Sequence, residues 1–245
     1  MDTIESKPYQ QPVIEEKEPS FQQEKKEEEQ NYFVKLTFYI TYVFLMTTAT
    51  ITFIEAMTTD DVKVRHILNL ETCISVIAAF FYGKFVQNLD TGIDYKRINE
   101  TRYVDWAITT PIMLLVLVLA FLFNNKEGAF SFSKYLVILV LNYAMLGFGY
   151  VGELGLMDRT TSNGLGFVAF AGMYYYIYQN YIKGRSNNDN LLLYSLFVFL
   201  WALYGVFYFF DSVTRNVGYN VLDLFSKCFV GIFFWAYYTK VFKLP

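Results

Sequence analysis

The chain has 245 residues, 54% apolar and 20% aromatic, and its charges crowd into the first thirty positions and a few short connectors. That division fits a membrane protein with a polar tail and excludes an ordinary soluble domain, whose helices would each carry charge on a water-facing side. The formal net charge of −3 comes largely from the tail, no basic patch points to nucleic acid, and the two cysteines, Cys73 and Cys228, have neither a CxxC spacing nor a histidine partner, so no disulfide framework or zinc site is supported.

Residues 1–31 form an acidic polar tail, rich in Glu, Gln, Lys and Pro, that cannot offset its own ordering entropy and is expected to be disordered or loosely helical. It lacks the basic start, apolar stretch and small-residue cleavage site of a secretory signal and is expected to be retained. From residue 32 to 245 one domain is predicted, made of seven apolar spans at roughly 32–57, 64–87, 100–124, 133–154, 163–183, 190–211 and 218–242. Each holds about twenty residues or more, enough to cross about 30 Å of hydrocarbon at about 1.5 Å per residue. The runs are too long for barrel strands and do not alternate. The predicted fold class is an all-α membrane bundle of seven helices.

An odd number of spans puts the termini on opposite sides of the bilayer. Connectors after odd-numbered spans and the C-terminal end carry Lys63, Lys126, Arg185, Lys240 and Lys243, flanked by Arg65, Lys134 and Lys183. The other connectors hold Lys96, Arg97, Arg159 and Arg215. This excess favours an external N-terminus and a cytoplasmic C-terminus.

Span one ends near Glu55, an interfacial acid expected to be solvated or to join an uptake route. Span two opens with His66, the one histidine, expected to be solvated at the interface, and holds Glu71 about 10 Å below its cytoplasmic start. Span three, RYVDWAITTPIMLLVLVLA, sets Arg102, Asp105 and Thr109 on one stripe. Span seven, YNVLDLFSKCFVGIFFWAYY, places Asp223 and Lys227 four residues apart on one face. A central Asp, Lys or Arg costs roughly 2.5–3.5 kcal/mol in a span, so each calls for a reason. Counted from the cytoplasmic ends, Asp105 and Asp223 both lie about 28 Å in, and Thr109 and Lys227 about 22 Å. Two carboxylates are thereby predicted to flank one amine. A structural ion pair of Lys227 with Asp223 would explain part of the pattern. An imine on Lys227, held protonated by both acids and made to release its proton when an isomerising chromophore moves, would explain all of it.

These residues resemble the microbial rhodopsin family, bacteriorhodopsin in particular, over essentially all of 32–242. RYVDWAITTP is similar to the family's third-helix signature through Arg102, Tyr103, Asp105, Trp106, Thr109, Thr110 and Pro111, and DLFSK with Gly231 is similar to its retinal-lysine motif. The resemblance implies all-trans retinal bound to Lys227 as a protonated Schiff base, Asp105 as primary proton acceptor and counter-ion, and Asp223 as second counter-ion. WALYGVFY resembles the pocket-aromatic segment through Trp201, Tyr204 and Tyr208, with Gly205 where the family often has proline and Tyr208 where tryptophan is usual. NYAMLGFG resembles the ring-contacting segment through Asn142, Met145 and Gly149. Met113, at the family's tuning position, implies green rather than blue absorption, with a slight adjustment from Ser226. Phe167, Phe170, Met173 and Tyr174 are the fifth-span candidates for the pocket, in a register the sequence leaves open.

The family's transport positions correspond to Asp105, Thr109 and Val116. Asp105 implies proton acceptance, and the pattern differs from those of sodium and chloride pumps. Val116 stands where many proton pumps carry an acid, and Glu71, at a matching depth, is the candidate cytoplasmic proton donor: a carboxyl desolvated there is expected to hold its proton until the imine needs it. LNLET is similar to rhodopsins of giant viruses that infect protists. A light-driven outward proton pump is therefore expected, with a light-gated cation channel and a photosensor as alternatives, and no enzymatic conversion. Asp211 and Glu153, at the external ends of their spans, are candidates for proton release. The expected partners are protons, the lipid bilayer and further copies of the chain, since the family commonly forms trimers or pentamers.

Overall fold

The computed structural model describes residues 21–89, 92–126 and 129–239. Seven helices run up and down in chain order: α1 (Phe21–Thr58), α2 (Val62–Asn88), α3 (Tyr95–Asn124), α4 (Phe132–Glu153), α5 (Arg159–Ile177, continued by the π-helical Tyr178–Ile182), α6 (Asn188–Phe207) and α7 (Ser212–Asp223, the π-helical Leu224–Phe229, then Val230–Thr239). Among the described residues six helices are long and apolar enough to cross a membrane, all but α5, whose first two turns carry Ser162 and Asn163.

Aspartate and asparagine start most of these helices by accepting the open amides of the first turn. Asp61 caps α2, Asp94 α3, Asp158 α5, Asn187 α6 and Asp211 α7. Gly155 and Gly184, with φ of 72° and 76°, turn the chain after α4 and α5 in the left-handed region that glycine enters without strain. Helix α3, buried as deeply as α7, packs against α2, α4, the π-helical end of α5, α6 and α7. Pro111 in its middle deprives the Ala107 carbonyl of an amide, and Tyr143 of α4 supplies the missing donor from 3.1 Å. A backbone group facing lipid needs such a partner.

Helices α4 and α5 meet closely at Gly152, where an added Cβ would lie 2.8 Å from Ser162 Cβ. Gly152→Ala should force this pair apart and cost about 1–3 kcal/mol by overpacking. The midpoint of thermal unfolding should fall; an unchanged midpoint would show that the two helices separate freely.

The two largest departures from the expected span boundaries are at the starts of α1 and α7. Helix α1 begins at Phe21, so 21–31 is continuous with the first span; residues 1–20, the rest of the expected tail, lie outside the described residues, as do Lys240 and Lys243. Helix α7 begins at Ser212 rather than near 218, and Arg215, counted above as a connector charge, is buried inside it. Polar residues at the start of a span look like a loop in sequence but here turn inward.

Candidate functional site

Four buried charges of zero formal sum meet between α3 and α7. Lys227 Nζ donates to Asp105 Oδ2 at 2.7 Å and lies 3.4 Å from Asp223 Oδ1. Arg102 Nη1 lies 3.6 Å from Asp223 Oδ2. All four residues are at most 2% exposed. Burying ions this deeply is tolerated only when each is paired and hydrogen-bonded.

The two carboxylates are held differently. Asp223 accepts from Tyr204 on α6 at 2.7 Å, and the Tyr82 hydroxyl on α2 lies 2.8 Å from its other oxygen. Among the described residues the Asp105 carboxylate is hydrogen-bonded to Lys227 only: its Oδ1 is buried without a partner, and Thr109 donates instead to the Asp105 backbone carbonyl at 2.9 Å. One acid is thus anchored on both oxygens, whereas the other keeps a free acceptor beside the amine.

Arg102 is fixed from several sides. It donates to Tyr82 (3.1 Å), to Asn216 (3.3 Å) and to Asn220, within the rings of Phe38, Tyr82, Phe85 and Tyr219 at 5.2–5.7 Å. Tyr82, Asn216, Asn220 and Tyr219 were not singled out in the sequence. A signal existed: Asn216, Asn220, Asp223 and Lys227 repeat at helical spacing, and Tyr82 lies on the same buried face of α2 as Glu71 and Ser75.

Lys227 Nζ opens into a cavity walled by α3 to α7. Of the residues expected around the chromophore, Tyr103, Trp106, Thr110, Met113, Met145, Gly149, Trp201, Tyr204, Tyr208 and Ser226 line it, with Lys227 and Asp223, whereas Asn142 is not part of the lining. Phe167 and Phe170 settle the register of α5 there, whereas Met173 and Tyr174 lie in the buried core. Leu146, Asn163, Gly166, Gly205 and Tyr219 complete the lining. Trp106 packs edge-on against Tyr204 and Tyr219, centroids 5.5 and 5.2 Å apart. Asn142 donates to Thr110 at 2.8 Å and ties α4 to α3. A Cβ on Gly149 would stand 2.7 Å from the Tyr103 hydroxyl, and one on Gly205 2.5 Å from the Phe167 ring, so both glycines make room for aromatic walls. An apolar, aromatic-walled slot with the Lys227 amine and the Asp223 carboxylate at its polar boundary fits a retinal polyene joined to Lys227.

Glu71 lies apart from this group, 3% exposed, on the other side of Lys227 along α7. Its Oε2 comes within 3.1 Å of where a Cβ on Gly231 would stand, one helical turn beyond the lysine, so Gly231 makes room for this carboxyl. Val116 is fully buried among apolar neighbours. Glu55 accepts from Trp235 at 3.2 Å, and His66 is exposed. Asp211 is an exposed cap whose carboxyl is held below the usual range by the Thr214 side chain and the amides of Thr214 and Val213. That cap contribution is complete above the ordinary carboxylate range and is lost only as pH falls through the lowered value, so Asp211 does not change charge near neutrality. Glu153, by contrast, is paired with Arg215 at 2.8 Å.

The chain is similar to known proteins. The family model described as "Bacteriorhodopsin-like protein" matches residues 33–241. The crystal structure of viral rhodopsin OLPVRII superposes with a TM-score of 0.81 at 57% identity, over 86% of this chain and 99% of that one. Green-light absorbing proteorhodopsin of Gamma-proteobacterium EBAC31A08 is 28% identical over 155 residues, 57% of this chain and 61% of the relative, so this match spans about three fifths of that protein's length. Blue-light absorbing proteorhodopsin of Gamma-proteobacterium Hot 75m4 is 25% identical over 218 residues, 80% of this chain and 82% of the relative.

Proposed function

The chain belongs to the bacteriorhodopsin-like family, the microbial rhodopsins, as an integral multi-pass membrane protein of the seven-helix fold, and on that premise we propose that it is a light-driven pump that moves protons outward. The observation that carries the reading is one buried amine with a carboxylate at 2.7 Å and a second carboxyl, Glu71, beside Gly231, one helical turn beyond Lys227 along α7. The N-terminus is outside and the C-terminus cytoplasmic in this reading, supported by the lysine and arginine distribution.

Retinal, in the all-trans form and linked to Lys227, supplies light absorption and an isomerisation that redirects the nitrogen's proton. Asp105 Oδ2 accepts that proton, its Oδ1 having no other bond to rearrange. Asp223, fixed by Tyr82, Tyr204 and Arg102, serves as the second counter-ion. Glu71 then returns a proton to Lys227 Nζ from the cytoplasmic side. Access from the two sides is unequal because acceptor and donor flank the nitrogen. Met113 in the cavity supports green absorption. Further copies of the chain, three or five, pack in this reading through α2, whose outward face exposes Asn69 and Cys73 within a span; the native mass of the solubilised complex checks the number.

The test is illumination of an unbuffered suspension of cells expressing the protein with added all-trans retinal. Wild type should acidify the medium, and an uncoupler should abolish the change; alkalinisation would overturn the direction. Glu71→Gln should slow return of the proton to Lys227 Nζ by at least about 100-fold, and a wild-type rate would remove Glu71 from the donor role. A pump current keeps one sign across voltages. Reversal near an ion's equilibrium potential would establish the cation-channel alternative.

A further inference from the structure

The outward face of α2 carries a polar stripe that the retinal site does not use. Lys63, His66, Asn69 and Cys73 follow one another at three- and four-residue spacing, so they share one face, and all four are exposed. Glu71, two residues past Asn69, is buried on the other side of the helix. Between the stripe and the end of α3 lies a cavity of about 450 Å³, walled also by Leu70, Leu119, Leu122 and Phe123 and by Phe130 from the connector to α4. That volume falls within the range of about 300–1,000 Å³ of small-ligand sites. Its chemistry is graded. An ammonium and an imidazole stand at the start of α2, an amide about 9 Å further along the helix, and then a thiol and hydrocarbon. Lys63 and His66 have no acidic partner among the described residues: Asp60 does not line the cavity, and Asp61 is committed to the amides of Lys63 and Val64. The Asn69 amide has no hydrogen-bond partner among the described residues, on a face that meets lipid, where a donor needs one.

We infer that this groove holds one anionic glycerophospholipid from the leaflet that meets the start of α2. Its phosphate lies at Lys63 and His66, an ester carbonyl accepts from Asn69 Nδ2, and one acyl chain runs along Cys73, Leu119 and Leu122. A free anion meets only the rim of the groove and a neutral apolar molecule only its walls, whereas an amphiphile with a negative head satisfies both. The binding is independent of pumping; only the identity of the leaflet, the cytoplasmic one, rests on the orientation proposed above. Copies of the chain that meet through α2 hold this lipid in the seam between them.

The test uses the retinal-loaded full chain, stripped of lipid in detergent and titrated in the dark with phosphatidylglycerol or phosphatidylcholine of identical acyl chains, bound molecules being counted by native mass spectrometry. Wild type should hold one phosphatidylglycerol per chain at least about fivefold more tightly than phosphatidylcholine, the preference expected of one lysine beside an anionic lipid. Lys63→Gln should bring the two lipids to equal affinity, and Lys63→Arg should restore the preference. Cys73→Trp, which fills the groove with an indole, should weaken both by at least about tenfold. Inorganic phosphate should displace neither. Displacement by phosphate, equal affinities in wild type, or undiminished binding in Cys73→Trp overturns the inference. Exclusion of all lipid from wild type, with disulfide cross-linking between copies through Cys73, gives the groove to a second copy and overturns it as well. If Cys73→Trp forms no pigment, the lysine variants decide, since position 63 is exposed at the start of α2. Light-driven transport, measured separately in liposomes, stands or falls independently of every one of these results.

Discussion

Asparagine at position 105 is expected to reduce light-driven proton transport at least about 100-fold while leaving a coloured pigment. Asp105 Oδ2 is the oxygen nearest Lys227 Nζ, at 2.7 Å, and the other carboxylate, at 3.4 Å, is committed on both sides to tyrosine hydroxyls. An amide at position 105 cannot accept the proton, and Asp223 has no unengaged oxygen to replace it. The variant should also unfold more easily, because removing one partner of a buried ion pair costs about 3–5 kcal/mol. Transport by illuminated liposomes and thermal bleaching read the two effects separately. Pumping at the wild-type rate would assign the acceptor role elsewhere.

Lys227→Ala has the largest expected effect on colour: no visible pigment should form with any amount of retinal. In wild type, borohydride under light should fix a retinyl group at position 227, locatable by peptide mass. The alanine variant also leaves two buried carboxylates facing Arg102 alone, which adds a folding defect of about 3–5 kcal/mol. Lys227→Ala combined with Asp105→Asn should recover part of that stability and none of the colour. A coloured Lys227→Ala protein would end the whole assignment.

The bundle and the centre of its site were legible in the sequence for a simple reason. Hydrocarbon tolerates so few charges that Asp105, Asp223 and Lys227 stand out against their spans, and helix rise alone puts them at comparable depth. The pocket aromatics on α3 and α6 came from the resemblance of RYVDWAITTP and WALYGVFY to the family's segments, and Tyr219 on α7 was missed. What stayed hidden was the neutral polar shell. Tyr82 sits in AAFFYGKF, where an inward tyrosine cannot be told from a lipid-facing one without the α2 periodicity. Asn99, Arg215 and Asn216 lie near span ends, where polar residues usually meet water. Tertiary contacts between α3, α4 and α7 decide otherwise. The π-helical turns of α5 and α7 left no mark in composition at all.

The wide turn at Leu224–Phe229 carries Lys227, and it sets backbone regularity against side-chain aim. The same residues wound as an uninterrupted α-helix would gain in local order. Everything beyond Phe229 would then be rotated by about 100°, swinging Gly231 away from Glu71 and Trp235 away from Glu55. The irregular turn therefore acts as a phase adjuster, letting one rod address partners on two differently oriented faces.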